Sequence, residues 1–281
     1  MTMVDIISKD NICGGVIAWM QKSNVYPIRS QFVVLACGWY RGSFPRNSTN
    51  YPHIAGDGLG IAMKHQVKLE HLDYIQIHPT TLFSHKPGRR FLISESVRGE
   101  GALLYDKNRS AFLRMNCSQG ICSVRRFLSR WKRTVLILSG KICVRWVKKS
   151  IMQHFPNIYQ HCIEEGFDPR KEPIPVVPAQ HYFMGGIQAD LSSRTSMRGL
   201  YACGETSCNG VHGKNRLASN SLLESLVFAR RAADDMIFGE TPEMCRPDRL
   251  DLNQYEDQNV ILEGYHKQVL NEIERMKKAN E

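Results

Sequence analysis

Leu200 to Met236 reads LYACGETSCNGVHGKNRLASNSLLESLVFARRAADDM, and this stretch decides the fold. It opens as a short apolar strand, Leu200 to Cys203. Gly204 and Glu205 follow where a strand would end. Gly210 and Gly213 lie in the next loop and allow backbone to approach a ligand closely. Ser221 stands three residues before Glu224, the spacing of a capping box. Beyond it Leu222, Leu226, Ala229, Ala233 and Met236 keep helical spacing. A carboxylate just past a strand can hold ribose hydroxyls, and a helix N-terminus offers free N–H groups to an electron-rich acceptor. The arrangement therefore suits a nucleotide cofactor, although an ordinary strand–loop–helix has the same spacing.

Outward from this stretch, the sequence of 281 residues is long enough for one large or two ordinary domains. No apolar run reaches transmembrane length and no signal peptide opens the chain, so the expected location is cytoplasmic. The nine Cys show neither CxxC pairs nor metal-ligand spacing, which favours reduced thiols and no metal site.

The net charge of +10 invites a nucleic-acid or acidic-membrane reading. Its distribution argues against one. Between Arg109 and Ser150 there are 11 Lys/Arg and no Asp or Glu. The rest of the chain holds 26 basic and 27 acidic residues, so the excess sits in one segment.

Phe32 to Cys37, FVVLAC, is a continuous apolar run suited to a strand buried on both faces. Asn50 to Gly60, NYPHIAGDGLG, leads into a helix for which Asp57 could be the N-cap. Leu72 to Leu82 alternates as a strand and is expected to end at His78-Pro79. Lys171 to Gly186 carries three prolines and reads as an extended, rigid connection. After Gly239, Tyr255, Ile261, Tyr265, Val269 and Ile273 keep helix-compatible spacing. Residues 1–30 show no strong motif.

The string GETS…GVHGKNRLASNSLLES resembles the signature near the end of the FAD domain in the succinate dehydrogenase/fumarate reductase flavoprotein superfamily. Its form NRLASNSLLE is that of the L-aspartate oxidase branch, where the respiratory enzymes more often read NRLGANSLLD. HPT at His78, FLISESVRGEGA at Phe91 to Ala102 and HYFMGG from His181 resemble successive family blocks.

The resemblance implies an α/β fold: a partial FAD-binding, Rossmann-like domain at 1–70 and 188–236, with an inserted α+β substrate (capping) domain at 71–187. The start of a helical C-terminal domain would follow at 237–281. It assigns Asp57, Glu205, Ser221 and Leu222 to FAD. His78, Ser94, Glu95, His181 and Arg216 fall on substrate positions, with His78, Glu95, His181 and Arg216 catalytic. The implied reaction is oxidation of L-aspartate to iminoaspartate, with oxygen or fumarate reoxidising FAD. It opens de novo NAD biosynthesis and brings quinolinate synthase as a further partner; neither nucleic acid nor membrane is expected. A fumarate reductase or succinate dehydrogenase flavoprotein and a non-catalytic remnant or basic binding protein are the competing readings. Arg98 is carried in the same block, or simply pairs with Glu95 or Glu100.

Two departures stand out. No GxGxxG occurs at a strand–helix junction, and the family's FAD diphosphate loop is expected upstream of Met1. Arg109 to Ser150 matches nothing in the family although both flanks do. Starting each codon one nucleotide earlier lets Arg114 to Ile121 encode NELLPRD and restores acidic residues and an amphipathic helix. The segment thus resembles the family read in a shifted frame. GWYRGSFP, read one base later from Trp39, allows GIGGLF. Trp39, Trp131 and Trp146 all lie in these two segments. The family's proton-transfer arginine in LPRD is then lost, its codon split between Gln119 and Gly120. Residues 109–150 are expected to pack poorly.

Overall fold

The computed structural model describes residues 1–20, 24–38, 47–105, 111–113, 142–145, 151–243, 245 and 250–280. The fold is α/β, and the chain divides into two compact units. The first comprises Met1–Ser43, His53–Gln76 and Tyr182–Glu281; the second comprises Phe44–Pro52 and Ile77–His181.

In the first unit, residues 1–30 form a sheet that their sequence did not announce. Strands β1 (Thr2–Lys9), β2 (Ile12–Met20) and β3 (Asn24–Arg29) pair antiparallel in that order. Lys9 pairs with Ile12. The two residues between them, Asp10 and Asn11, take φ of 53° and 59°, as a type I′ hairpin requires and as short polar side chains tolerate. Gly15 has φ 133°, and a Cβ there would lie 2.1 Å from the Ile28 carbonyl oxygen. Only glycine fits that approach.

The apolar run at Phe32 yields β4 (Val33–Leu35), which pairs parallel with β12 (Leu200–Ala202). A second small sheet joins β5 (Leu69–Glu70), β11 (Gly186–Gln188) and β13 (Ser207–Cys208). Helix α1 (Asp57–Lys64) packs on α6 (Gln258–Ala279). A Cβ on Gly60 would come 2.4 Å from the Tyr265 Cβ, so the glycine lets the two helices approach. Asp257 caps α6 by accepting from the N–H groups of Asn259 and Val260. Tyr265, Val269 and Ile273 form its buried face beside Ile6, Leu59, Ile61, Phe183 and Leu200, while Tyr255 lies in the 3-10 turn before the helix.

The second unit is built on a five-stranded sheet. Its order is β6 (Ile75–Leu82), β10 (Ile174–Phe183), β9 (Ile142–Arg145), β7 (Leu103–Tyr105) and β8 (Ala111–Leu113). The last three pairings are antiparallel. Helices α2 (Glu95–Gly99), α3 (Ile151–His154) and α4 (Pro156–Glu164) complete the unit. Pro156 opens α4 at a position whose N–H has no helical acceptor. The core gathers Leu82, Ile93, Val97, Leu104, Ile158, Cys162, Ile174 and Val176.

Two expectations need correction here. The β6 strand does not end at His78-Pro79 but runs on to Leu82, because Thr80 and Leu82 still pair through Ile93 and Phe91. The proline-rich stretch is not a connection: ten of its residues are β10, with only Val177 and His181 less than fully buried. Within 109–150, residues 111–113 and 142–145 join the sheet. The remainder of that segment, the lost arginine codon at 119–120, and the anomalous 39–46 lie outside the described residues, as does the Arg98 side chain.

Candidate active site

In the first unit, the chain leaves β12 and turns at Gly204, φ 65°, into a 3-10 turn, Gly204–Thr206. Thr206 Oγ1 donates to the Gly38 carbonyl (2.8 Å), which ties the turn to the end of β4. Glu205 is thereby set just past the carboxyl ends of a parallel strand pair, where ligands bind in open α/β sheets. Removal from water pushes the Glu205 carboxyl up to about 8. The Phe183 N–H, 2.9 Å from Oε1, and the Arg216 charge oppose that rise, and Glu224 adds to it.

The loop after β13 returns Arg216 to a buried position, 9% exposed. Gln76 Nε2 donates to the Arg216 carbonyl at 2.9 Å and to Asn215 Oδ1 at 3.3 Å. The Arg216 Nη1 reaches the Leu217 carbonyl at 3.2 Å and Ser221 Oγ at 3.4 Å. The guanidinium lies 4.6 Å over the Tyr182 ring, and the His212 ring meets the same tyrosine edge-on at 5.5 Å. Glu224 is buried, accepts from Asn209, and lies 3.9 Å from His212 Nε2. Burial lowers the His212 pKa and raises that of Glu224, and burial together with the two glutamates raises that of Tyr182. His212 and Tyr182 stood in quoted motifs without an assigned role, and Glu224 was read only as the capping-box partner of Ser221. A histidine and a carboxylate twelve residues apart give no sequence signal of contact, because the loop between them has no period.

The capping box is not formed. Helix α5 (Asn220–Phe238) starts after Ser219, which takes φ 70° and makes no side-chain cap bond. Ser221 is inside the first turn, and Glu224 is drawn inward to Asn209 and Ser225. The helical spacing is real, but Leu222 and Leu226 are 75% and 72% exposed; the buried face carries Glu224, Phe228 and Ala232. Asp57 is not an N-cap either: Gly56 holds that position, and Asp57 opens α1. Burial raises the Asp57 carboxyl, and its Oδ1 is buried without a hydrogen-bond partner.

A nucleotide with hydroxyl donors would fit these features. Asp57 Oδ1 lacks a donor, Glu205 accepts a single hydrogen bond from protein, and the α5 N-terminus with Ser221 and Leu222 lacks a side-chain cap.

In the second unit, β6 and β10 bring His78 and His181 together, ring centroids 5.3 Å apart and planes at 73°. His78 is buried and its Nδ1 accepts the Thr80 N–H at 3.2 Å. Thr80 Oγ1 donates to the Ile93 carbonyl at 3.0 Å, and Ile93 N–H donates to Thr80. That pairing places Ser94 and Glu95, next in the chain, at the head of α2. Ser94 Oγ accepts from the Ser96 N–H at 3.3 Å and donates to Ser96 Oγ at 3.2 Å, so its hydroxyl caps this helix as well as being available to a ligand. Of the sequence-assigned residues, the second unit holds His78, Ser94, Glu95 and His181; the first holds Asp57, Glu205, Arg216, Ser221 and Leu222.

No described helix is long and apolar enough to cross a membrane. Residues 1–222 match the family model described as FAD binding domain. L-aspartate oxidase of Clostridium perfringens is 49% identical over 235 residues, covering 82% of this chain and 52% of that protein. L-aspartate oxidase of Clostridium acetobutylicum is 43% identical over 233 residues, 83% of this chain and 53% of its own length. The chain thus spans about half the length of these curated relatives. Among solved structures, a mutant of E. coli quinol fumarate reductase superposes with a TM-score of 0.72 at 32% identity, covering 93% of this chain and 48% of that one.

Proposed function

The chain belongs to the FAD-binding domain family, and from that premise we propose that it derives from an FAD-dependent oxidase converting L-aspartate to iminoaspartate, the first step of de novo NAD biosynthesis. The observation that carries the reading is the histidine pair, His78 and His181, held edge to face at 5.3 Å, with Ser94 and Glu95 following Ile93, which pairs with Thr80. A dicarboxylate with an α-amino group needs donors for two anions and an acceptor for one cation. The family resemblance assigns His78, His181 and Arg216 as the donors, and a guanidinium can bind a carboxylate bidentately. Ser94 adds a hydroxyl. Glu95 accepts from the substrate ammonium.

Asp57, Glu205, Ser221 and Leu222 would hold FAD. Glu205, with a pKa near 8, is largely a neutral acid at pH 7 and can donate to a sugar hydroxyl as well as accept from one. The chemistry FAD supplies when bound is hydride acceptance from the α-carbon, with oxygen or fumarate taking the electrons onward. The protein's share is orientation and charge. A cytoplasmic setting, quinolinate synthase as the consumer of iminoaspartate, and an FAD portion at 1–70 and 188–236 around a substrate domain at 71–187, with a helical domain starting at 237, complete the reading.

The likeness to quinol fumarate reductase favours a second reading, a fumarate- or succinate-directed flavoprotein. The test compares two proteins: the chain as written, and one with the LPRD-containing frame restored and extended to the length of the relatives. Flavin absorbance of each is measured first. Ammonia and peroxide release with L-aspartate are measured next, then succinate oxidation. The expected outcome is aspartate turnover in the restored protein only, because loss of a charged group at the reacting centre costs about a hundredfold or more. Turnover by the chain as written would overturn the role given to the missing arginine. Oxidation of succinate in place of aspartate by the restored protein would decide for the second reading.

A further inference from the structure

The segment Asn47–Asn50 is laced to β10 at one place. Thr49 N–H donates to the Gln180 carbonyl at 2.9 Å, Gln180 N–H donates to Asn47 at 2.9 Å, and Ser48 forms an isolated parallel bridge to Gln180. Asn50 Nδ2 donates to the His181 carbonyl at 3.4 Å, and its N–H donates to Ser48 Oγ at 3.1 Å. Ser48 and Gln180 are fully buried. This lacing leaves the Thr49 hydroxyl 3.0 Å from His181 Nδ1 and 3.3 Å from the Gln180 carbonyl oxygen.

A threonine hydroxyl has one proton to give and lone pairs to receive. A carbonyl oxygen can only accept. The arrangement in which both contacts are hydrogen bonds has Thr49 Oγ1 donating to Gln180 and accepting from Nδ1–H of His181. The ring proton of neutral His181 is then on Nδ1, and its Nε2 carries the lone pair. His78 is wired the other way. A backbone N–H can only donate, so the Thr80 N–H at His78 Nδ1 makes that nitrogen the acceptor and places the proton of neutral His78 on Nε2.

We propose that Thr49 is a positioning residue that fixes His181 as the Nδ1–H tautomer, opposite to that of His78, so that the two facing imidazoles are one donor and one acceptor. Under the oxidase reading, His78 Nε2–H binds a substrate carboxylate as it stands. His181 binds one only after taking up a proton at Nε2, and until then it is the acceptor of the pair. That division of labour rests on the oxidase reading; the tautomers themselves do not. No sequence period could show it, because Thr49 and His181 are 132 residues apart.

The test is long-range proton–nitrogen NMR on the full chain labelled with ¹⁵N-histidine, without flavin or substrate. The chain has ten histidines, so His78→Asn and His181→Asn assign the two spin systems. At a pH where both are neutral, His181 is expected to show a protonated Nδ1 and a bare Nε2, and His78 the reverse. Thr49→Val keeps the shape and removes the hydroxyl. It should move the His181 nitrogens toward the other tautomer while those of His78 stay in place, and Thr49→Ser should restore the original pattern. A wild-type His181 protonated on Nε2, or nitrogens that ignore Thr49→Val, would overturn the proposal. So would a Thr49→Val chain in which both histidines shift together and thermal unfolding is broadened, since that is a packing effect alone. Absence of aspartate turnover in the frame-restored, full-length protein with these tautomers intact would count against the oxidase reading and leave the assignment of Thr49 standing.

Discussion

Asp5 and Glu205 are carboxyl groups of the same unit, both taken out of water, and their acidities move in opposite directions. Burial pushes each one up. At Asp5 the push is overcome: His65 Nε2 donates at 2.6 Å, Lys64 Nζ at 2.5 Å, and the Tyr255 hydroxyl and the Ile6 N–H complete the set. The result is a pKa lowered to about 2. Glu205 has the Phe183 N–H alone in direct contact, and its pKa rises to about 8. Donor count, not depth, sets the sign. A carboxylate saturated by donors from β1, α1 and the turn before α6 is a structural hub. One left short of donors at the end of a parallel strand pair has acceptor capacity that the protein does not use, which is what the proposed cofactor role of Glu205 needs.

The largest effect should come from breaking the hub. Asp5→Ala leaves Lys64, His65 and Tyr255 without their common acceptor, and removing one partner of a buried pair costs about 3–5 kcal/mol. An unfolding free energy from denaturant titration that falls by less than a third of this would show that Lys64, whose side chain is 39% exposed, and water replace the lost bonds. Asp5→Asn keeps an acceptor and should cost less. The pH signature follows from the sign. Because the folded pKa lies below the ordinary value of 3.8, the stabilisation is complete above that value and is lost as pH falls toward 2.

Glu205→Gln should act in the opposite direction and in another window. The folded carboxyl keeps its proton up to about 8, whereas the unfolded one releases it near 4.5. Between those values the unfolded state binds fewer protons, so wild-type stability declines as pH rises. The glutamine variant lacks this slope. Below about pH 4 the two chains should differ little, and most of the difference is already present at pH 7. At pH 9 the variant should be the more stable by about 1–2 kcal/mol, a figure reduced from the full shift for the partial exposure of the group. Parallel pH profiles for the two chains would show that Glu205 is better hydrated than its surroundings indicate.

How far the sequence showed these sites depended on range. The strand at Leu200, Glu205 at its end and the helix beyond are local, and each was readable from spacing. The hub was not. Asp5 sits in a stretch without alternation, because β1 buries four consecutive residues, Val4 to Ile7, between a sheet and two helices. Its partners come from positions 64, 65 and 255, a contact that no period encodes. Ser221 and Glu224 failed differently. Their spacing satisfied a local capping rule, but Asn209 from the preceding loop drew Glu224 into the interior and a left-handed Ser219 took over the helix start. His78 and His181 were legible through their family motifs, whereas Thr49, which touches His181, carried no mark.

The smallest effect should come from a carboxylate that has a donor and no burial. Asp234, on α5, accepts from Arg230 Nε at both oxygens, 2.9 and 3.0 Å, one turn away on the same helix. The two side chains are 45% and 79% exposed. Asp234 is directly hydrogen-bonded at ordinary distance, as Asp5 is, so if having a donor alone determined stability, both sites would matter. Water and salt screen the exposed pair, and measured i,i+4 pairs contribute about 0.3–0.5 kcal/mol. Asp234 also lies in the last turns of α5, where the helix dipole disfavours negative charge and offsets part of that gain. Asp234→Asn holds helix propensity nearly constant, which an alanine would not. It should therefore change stability by no more than about 0.3 kcal/mol in either direction, and 0.5 M salt should erase even that. A loss above about 1 kcal/mol that persists in salt would mean that donors suffice without burial, and the contrast between Asp5 and Glu205 would need a cause other than the balance of desolvation against donors.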